Sequence, residues 1–334
     1  MKGRATLLIR NLVLVVISII LTSTMVFAQT ETNSLEQAKG NMRTLGFSEK
    51  IIGDLSDNEI MEYLNAKLVS KTEEYYTYEY SSTCNSVTKK NDVKLVKRQK
   101  VSKEDAYKIA EKENKRILQS KIDILTKVND ADVITTFGFN NSYNSNTIST
   151  LKLQVWATYI SGTTYKIATQ FDWLTHPSQC YSDMLALSND GKSTKQQNTS
   201  SFFVKSDIYK KDIYGNSTFY TTEDVVSTTT SPFKEEVTGV GFKYEVPTET
   251  YGPPISSREW YERQDLRGYL TYKISVPTTK QSYGVLGSYG HETQSLTWSN
   301  SVGVSFPAGI SFSSWPSASS KITTSTVYTN FDVN

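Results

Sequence analysis

The chain is poor in the residues that most metal and redox sites require, with only two histidines and two cysteines among 334 residues. His291 opens a GHETQ stretch that matches half of a HExxH zinc signature, but Ser295 stands where the second histidine should be. His176 lies in a THPSQ stretch after an apolar strand pattern, which predicts a turn residue. We therefore expect no metal, no cofactor and no catalytic histidine.

Other catalytic motifs are also missing. The sequence contains no P-loop and no GxSxG elbow, and the glycines of residues 284–290 have the wrong spacing for a dinucleotide loop. These absences favour a protein that is not an enzyme. One alternative stays open, a carbohydrate-active hydrolase built on two of Glu259, Glu262 and Asp265, which would have to face one cleft about 5 to 9.5 Å apart.

Only one long apolar run occurs, at residues 12–21, and three basic residues precede it. The small residues up to Ala28 then predict a signal peptide over residues 1–28, cleaved before Gln29. The run is shorter than the roughly 20 residues of a membrane-spanning helix. No lipoprotein cysteine follows it and no LPxTG tail is present. We expect a secreted protein, either extracellular or associated with the cell surface.

Strong net charge is absent as well. The formal charge is +2, and removing the three basic residues of the acid-free leader leaves −1, so nothing indicates a nucleic-acid partner. The exception is residues 89–127, with thirteen Lys or Arg against six Asp or Glu. Its apolar spacing predicts an amphipathic helix. The basic face is either simply solvated or attracted to an anionic polymer such as teichoic acid or to acidic phospholipid.

The two cysteines, Cys84 and Cys180, both follow the leader. An even number of cysteines in an exported chain favours a disulfide between them. Two free thiols are the alternative.

The remaining pattern predicts an α+β fold that is mostly β, with N-terminal helices followed by an antiparallel β-sandwich. Residues 29–132 are predicted as a helical, charged region, in which Ser56 and Glu59 form a capping box. Residues 133–334 are predicted as the β-rich domain, because short alternating runs are separated by Gly, Pro, Asn and Ser. The clearest hairpin joins residues 149–160 to residues 164–174.

Residues 302–312 raise a second functional alternative, because their even positions are apolar and Trp298 and Trp315 flank them. Such alternation with an aromatic girdle is typical of membrane β-strands, so a β-pore-forming toxin or bacteriocin-like protein is considered. A turn at Pro307 and Gly309 would leave arms of about six residues, shorter than the roughly 9 to 11 of a spanning strand. A membrane partner is expected only under this alternative.

The combination of LGFSEKIIGDLSDNEIMEYL, FDWLTHPSQCYSDMLALS, GVGFKYEVP, and GYLTYKISV followed by GSYGHETQSLTWSNSVGVSF resembles a group of uncharacterised secreted proteins of Gram-positive Firmicutes. The resemblance implies an exported β-rich protein with a helical N-terminal part, and it carries no assigned activity.

The leading hypothesis is a secreted, non-enzymatic binding or envelope-associated protein. The candidate ligand surface is the acid- and aromatic-rich run with Glu259, Trp260, Tyr261 and Glu262. Aromatic side chains offer rigid contact area, which suits a cell-wall polymer or another glycan as the partner.

Overall fold

The computed structural model describes residues 33–84, 91–127, 147–252, 256, 258–277, 280–293, 302–312 and 322–333. The predicted cleavage site at Ala28 and Gln29 lies outside these residues, as do Trp298 and Trp315. The chain divides into two compact units, Met1–Lys67 and Leu68–Asn334.

From residue 33 onward, the first unit contains three short helices: α1 (33–44), α2 (Glu49–Asp54) and α3 (Asp57–Met61). Ser48 caps α2 by accepting from the Ile51 amide, and Ser56 and Glu59 form the predicted capping box at the start of α3. The helices bury an apolar face that consists mainly of Met42, Ile51, Ile52, Ile60 and Tyr63.

The described part of the second unit consists of strands and one long helix, α4 (Lys103–Lys127). In the described residues the strands are β1 (Lys67–Cys84), β2 (Asn91–Val101), β3 (Thr147–Ser161), β4 (Thr164–Trp173), β5 (Ser182–Asn189), β6 (Thr194–Lys195), β7 (Ser201–Asp212), β8 (Ser217–Thr229), β9 (Lys234–Glu236), β10 (Gly239–Glu245), β11 (Glu259–Ser275), β12 (Gln281–Glu292), β13 (Val302–Ser305), β14 (Gly309–Phe312) and β15 (Ile322–Val333).

Two antiparallel sheets enclose the core. The eight-stranded sheet has the order β2-β1-β3-β4-β11-β7-β8, with β6 added beside β11, and the five-stranded sheet has the order β15-β12-β5-β10-β9. Side chains from both sheets form one buried cluster, in which Leu153, Phe171 and Phe202 of the first sheet meet Leu185 and Phe242 of the second. The predicted mostly-β fold with an antiparallel sandwich is confirmed.

The predicted helical region was too long. Lys67–Cys84 and Asn91–Val101 form β1 and β2, so strands begin well before residue 133. Tyr76, Tyr78 and Tyr80 are all buried in the sandwich core. Because alternate side chains of a strand lie on one face, this spacing buries all three rings only if the segment is a strand. The helix predicted in the basic segment is present as α4, whose Ala106 and Ala110 are buried. Even this 25-residue helix, the longest of those described, lacks the apolar stretch of a membrane span.

The predicted turn at Pro307 and Gly309 connects β13 and β14, which form a separate two-stranded hairpin. Its apolar side chains Val302, Val304 and Ile310 are buried with Met184 and Ala186 of β5. The described part of the segment considered for membrane insertion is therefore packed on the five-stranded sheet, in strands of four residues each.

The predicted disulfide between Cys84 and Cys180 is not seen: among the side chains that the structure describes, Cys180 is a free thiol. Cys180 lies in the turn between β4 and β5, and its thiol donates to the Pro177 carbonyl oxygen of the same turn at 3.8 Å. Burial raises the pKa of this thiol to about 12, which keeps it protonated. Cys180 also packs against the buried cluster of the sandwich, which helps to hold the turn.

Candidate functional site

The four residues of the predicted ligand surface lie at the start of β11, where successive side chains point to opposite faces of the strand. Trp260 and Glu262 are buried, whereas Glu259 and Tyr261 are half-exposed on the other face. Trp260 packs against Leu125 of α4. Of the four residues predicted to form a ligand surface, Glu259 and Tyr261 are therefore partly accessible, whereas Trp260 and Glu262 lie beneath them.

Around Tyr261 the structure brings together side chains from three segments, which we name the tyrosine surface: Tyr220, Tyr251, Tyr261 and Arg263. The ring centroid of Tyr261 lies 4.7 Å from that of Tyr220 and 6.3 Å from that of Tyr251. The Arg263 guanidinium lies 4.9 Å from the centre of the Tyr251 ring. Tyr220 is 55% exposed, so the surface presents aromatic rings to solvent.

Backbone hydrogen bonds hold Tyr251 in place. Residues 249–251 run along β11, where the Arg263 amide donates to the Glu249 carbonyl oxygen at 2.7 Å and the Tyr251 amide donates to that of Tyr261 at 3.2 Å. Arg263 also donates to the carbonyl oxygens of Thr248 and Thr250, at 2.8 and 2.7 Å. The loop that carries Tyr251 is thereby fixed to the same strand that carries Tyr261.

Charges at the tyrosine surface are paired within the protein. Arg263 binds Glu223 of β8 at 2.6 Å, and Lys210 binds Glu259 at 2.8 Å. Because these charges are paired, a ligand would meet mainly the faces of aromatic rings at this surface and little net charge.

A buried ion cluster lies beneath it. Glu262 accepts from Lys121 of α4 at 2.9 Å and from Lys211 of β7 at 2.7 Å, and Lys121 also pairs with Glu249 at 2.8 Å. The Trp260 indole N–H and the Gln264 amide donate to the same carboxylate. Burial alone would raise the pKa of Glu262, but the two lysines outweigh it and the pKa lies well below its ordinary range.

This geometry disfavours the hydrolase alternative. Glu259 and Glu262 project to opposite faces of β11, so they do not share a cleft. Glu262 and Asp265 line a common cavity, but its volume is about 50 Å³, the space of about two water molecules. An acid that must donate a proton needs a raised pKa, and that of Glu262 is lowered. Among the described residues no cluster of three His, Cys, Asp or Glu side chains could hold a metal ion.

The two histidines both contact acceptor groups of the protein itself. His176 lies in the predicted turn, with Nδ1 at 3.1 Å from the Pro177 carbonyl oxygen, and burial lowers the pKa of its imidazole. His291 is fully buried, and its Nδ1 lies 2.9 Å from the Asp183 carboxylate. Sequence reasoning missed the His291–Asp183 pair because 108 residues separate the partners.

The comparisons with known proteins do not identify a family. No protein-family model matches the chain, and no curated protein does. Among solved structures, the chain is similar to the KRT10-binding region domain of the pneumococcal serine-rich repeat protein PsrP, at 8% identity, 42% of this chain, 77% of that chain and a TM-score of 0.16.

Two further matches have comparable scores. A structure described as a pore forming protein matches at 8% identity, 58% of this chain, 94% of that chain and a TM-score of 0.22. The Clostridium perfringens NetB toxin in its membrane-inserted form matches at 8% identity, 54% of this chain, 89% of that chain and a TM-score of 0.20. Similarity this low carries no argument about function.

Proposed function

We propose that this protein is an exported, non-enzymatic binding protein that holds a carbohydrate on the tyrosine surface. The observation that carries the proposal is the contact of the Tyr220, Tyr251 and Tyr261 rings on one exposed area. Tyrosine provides large, amphipathic contact area at a low cost in conformational entropy. The apolar faces of sugar rings pack on such rings, and hydroxyl groups at their edges find the phenol oxygens.

Preorganisation supports the proposal. Tyr261 belongs to a strand that is paired with β7, and the Tyr251 loop is hydrogen-bonded to the same strand. Arg263 fixes both sides of the surface through Glu223 and Thr250. Because little has to become ordered on binding, little of the interaction energy is lost.

The paired acids favour binding over catalysis. Glu262 is held as a carboxylate by two lysines, and Glu259 is engaged with Lys210. The proposed location outside the cell rests on the signal-peptide pattern of residues 1–28. A cell-wall glycan is the partner that would be met there.

The test is co-sedimentation of the chain from Gln29 onward with isolated Gram-positive cell wall and, in parallel, with anionic liposomes. We expect the protein to pellet with the wall and not with the liposomes. Tyr220→Ala and Tyr261→Ala should each weaken wall binding by roughly tenfold, as expected for aromatic anchors. Tyr214→Ala is the matched control, because Tyr214 is 73% exposed and lies outside the tyrosine surface.

Salt distinguishes this surface from the basic face of α4. Attraction through exposed lysines falls steeply between low and high ionic strength, whereas ring stacking persists. Wall binding that disappears at high salt and ignores both tyrosine substitutions would refute the tyrosine surface as the site. Pelleting with liposomes alone would instead support the pore-forming alternative.

A further inference from the structure

A groove of about 500 Å³ lies at one edge of the sandwich, separate from the tyrosine surface. Its walls come from both sheets, with Phe202 of β7 and Phe242 of β10 stacked at 4.8 Å between ring centroids. Val225 and Val226 of β8 form one side, and Phe233 stands at the rim, where it is 41% exposed. The chain crosses here from the eight-stranded to the five-stranded sheet, between β8 and β9.

An irregularity in β8 builds this wall. Val204 pairs with Val226, but the next residue of β7, Lys205, pairs with Asp224, so Val225 is an extra residue in a β-bulge. In a regular strand two consecutive side chains point to opposite faces. Here Val225 and Val226 both pack against the sandwich core, and both line the groove. Bulges commonly redirect a side chain next to a functional site.

The chemistry of the lining selects an uncharged apolar ligand. The two charged lining residues, Lys243 and Glu245, form an ion pair at 3.3 Å, and Glu245 also accepts from the Ser182 hydroxyl at 2.6 Å. The rest of the wall is mainly aromatic or aliphatic, with the hydroxyls of Thr229 and Ser231 at hand for a single polar group. The volume lies within the range of sites that hold small ligands.

We propose that this groove is a binding site for one alkyl or acyl chain with an uncharged polar end. The ligand chain would lie along the two valines of the bulge, over the buried floor that the Phe202–Phe242 pair forms, and Phe233 would cover it from the rim. The proposal does not depend on the tyrosine surface, which shares no residue with the groove.

The test uses the neutral fluorescent probe N-phenyl-1-naphthylamine on the chain from Gln29 onward, with decan-1-ol as an unlabelled competitor. We expect saturable binding with one site per chain and displacement by decan-1-ol below its solubility limit. Val225→Trp, which fills the groove with an apolar ring, should weaken probe binding at least tenfold. Phe233→Ala, which removes the rim, should weaken it several-fold.

The matched control is Val96→Trp, which places the same indole on β2 at a valine that is 60% exposed. Thermal unfolding of all three variants identifies any that fail to fold, and Phe233→Ala leaves both strands intact if Val225→Trp is lost. The proposal is overturned if the probe does not bind the unmodified chain, or if Val225→Trp and Val96→Trp bind it equally well.

Discussion

Glu262 shares its carboxylate between Lys121 of α4 and Lys211 of β7, both of which are largely removed from water. Taking three charges out of water is costly, and the attraction among them repays that cost only while the set is complete. A substitution at Glu262 therefore measures how much stability the protein loses when two buried ammonium groups lose their common partner.

We expect Glu262→Gln to lower the free energy of unfolding at pH 7 by about 3–5 kcal/mol, the usual cost of removing one member of a buried ion pair. Urea unfolding followed by fluorescence measures the change. Glu259→Gln is the control, because the Lys210–Glu259 pair is exposed to solvent, which screens it, so its loss should change the free energy of unfolding little. Equal effects of the two substitutions would contradict a special role for the buried cluster.

The difference in stability between the unmodified protein and Glu262→Gln should depend on pH. The pKa of Glu262 is lower in the folded than in the unfolded protein, so its contribution is complete above the unfolded value of about 4.3. This contribution is lost progressively as the pH falls from the pKa of the unfolded protein toward the lower pKa of the folded one. In that range the carboxylate takes up a proton in the unfolded protein but not in the folded one, which favours unfolding. The stability difference between the unmodified protein and Glu262→Gln should therefore be constant above about pH 5 and shrink on acidification.

Among the elements, the β13–β14 hairpin depends on glycines in the strand beneath it. A Cβ atom on Gly239 of β10 would lie 2.9 Å from a Val304 methyl group and 3.0 Å from the Leu187 carbonyl oxygen. One on Gly241 would also meet Val304, at 3.0 Å. The hairpin can lie flat on the five-stranded sheet because these two positions have no side chain.

Gly239→Ala should consequently push the hairpin away and lower the free energy of unfolding by about 1–3 kcal/mol, the range for overpacking. Urea unfolding gives the cost, and limited proteolysis should show faster cleavage near residues 306–308. Gly53→Ala of α2 is the control, since a Cβ there meets nothing within 4 Å and alanine favours the helix. A Gly239→Ala protein as stable and as resistant as the unmodified one would show that the hairpin does not need this close approach.

The elements that could be predicted from the sequence are those whose pattern is local. The β3–β4 hairpin is present with Leu151 opposite Trp173 and Leu153 opposite Phe171, all buried as the alternation indicated. The capping box at Ser56 is local as well, and it was also correct.

The features that the sequence did not predict depend on contacts between residues far apart in the chain. β1 and β2 lie where helix was expected, because pairing with each other and with β3 outweighs the charged composition of that region. The sequence pattern places Glu259 and Tyr261 on one face of β11 and Trp260 and Glu262 on the other, but nothing local indicates that α4 covers Trp260 and Glu262. Tyr220 and Tyr251 reach Tyr261 only through the pairing of β8 with β7 and of residues 249–251 with β11.

At the scale of the whole β-sandwich, polar bonds cross an otherwise apolar core. The Trp173 indole N–H of the eight-stranded sheet donates to the Tyr289 hydroxyl of the five-stranded sheet at 2.9 Å, and Tyr289 donates to Asp183 at 2.5 Å. Burial and the nearby Asp183 carboxylate raise the pKa of Tyr289, so the hydroxyl stays protonated and can donate. Hydrogen bonds are directional, so this network fixes the orientation of the two sheets relative to each other. Apolar packing alone constrains that orientation less strictly.

Asp183 is the acceptor on which this network converges, since it takes the Tyr289 hydroxyl, the Glu292 amide and His291 Nδ1. Asp183→Ala should leave these buried donors without an acceptor and cost at least about 3 kcal/mol, because each unsatisfied group costs about 1–3 kcal/mol. Tyr289→Phe should cost less alone, and the double variant less than the sum, as expected for residues in one network. Urea unfolding of the four proteins gives the coupling, and near-UV circular dichroism reports the packing of Trp173. Additive effects, or an Asp183→Ala protein within about 1 kcal/mol of the unmodified one, would mean that the apolar core alone sets the arrangement of the sheets.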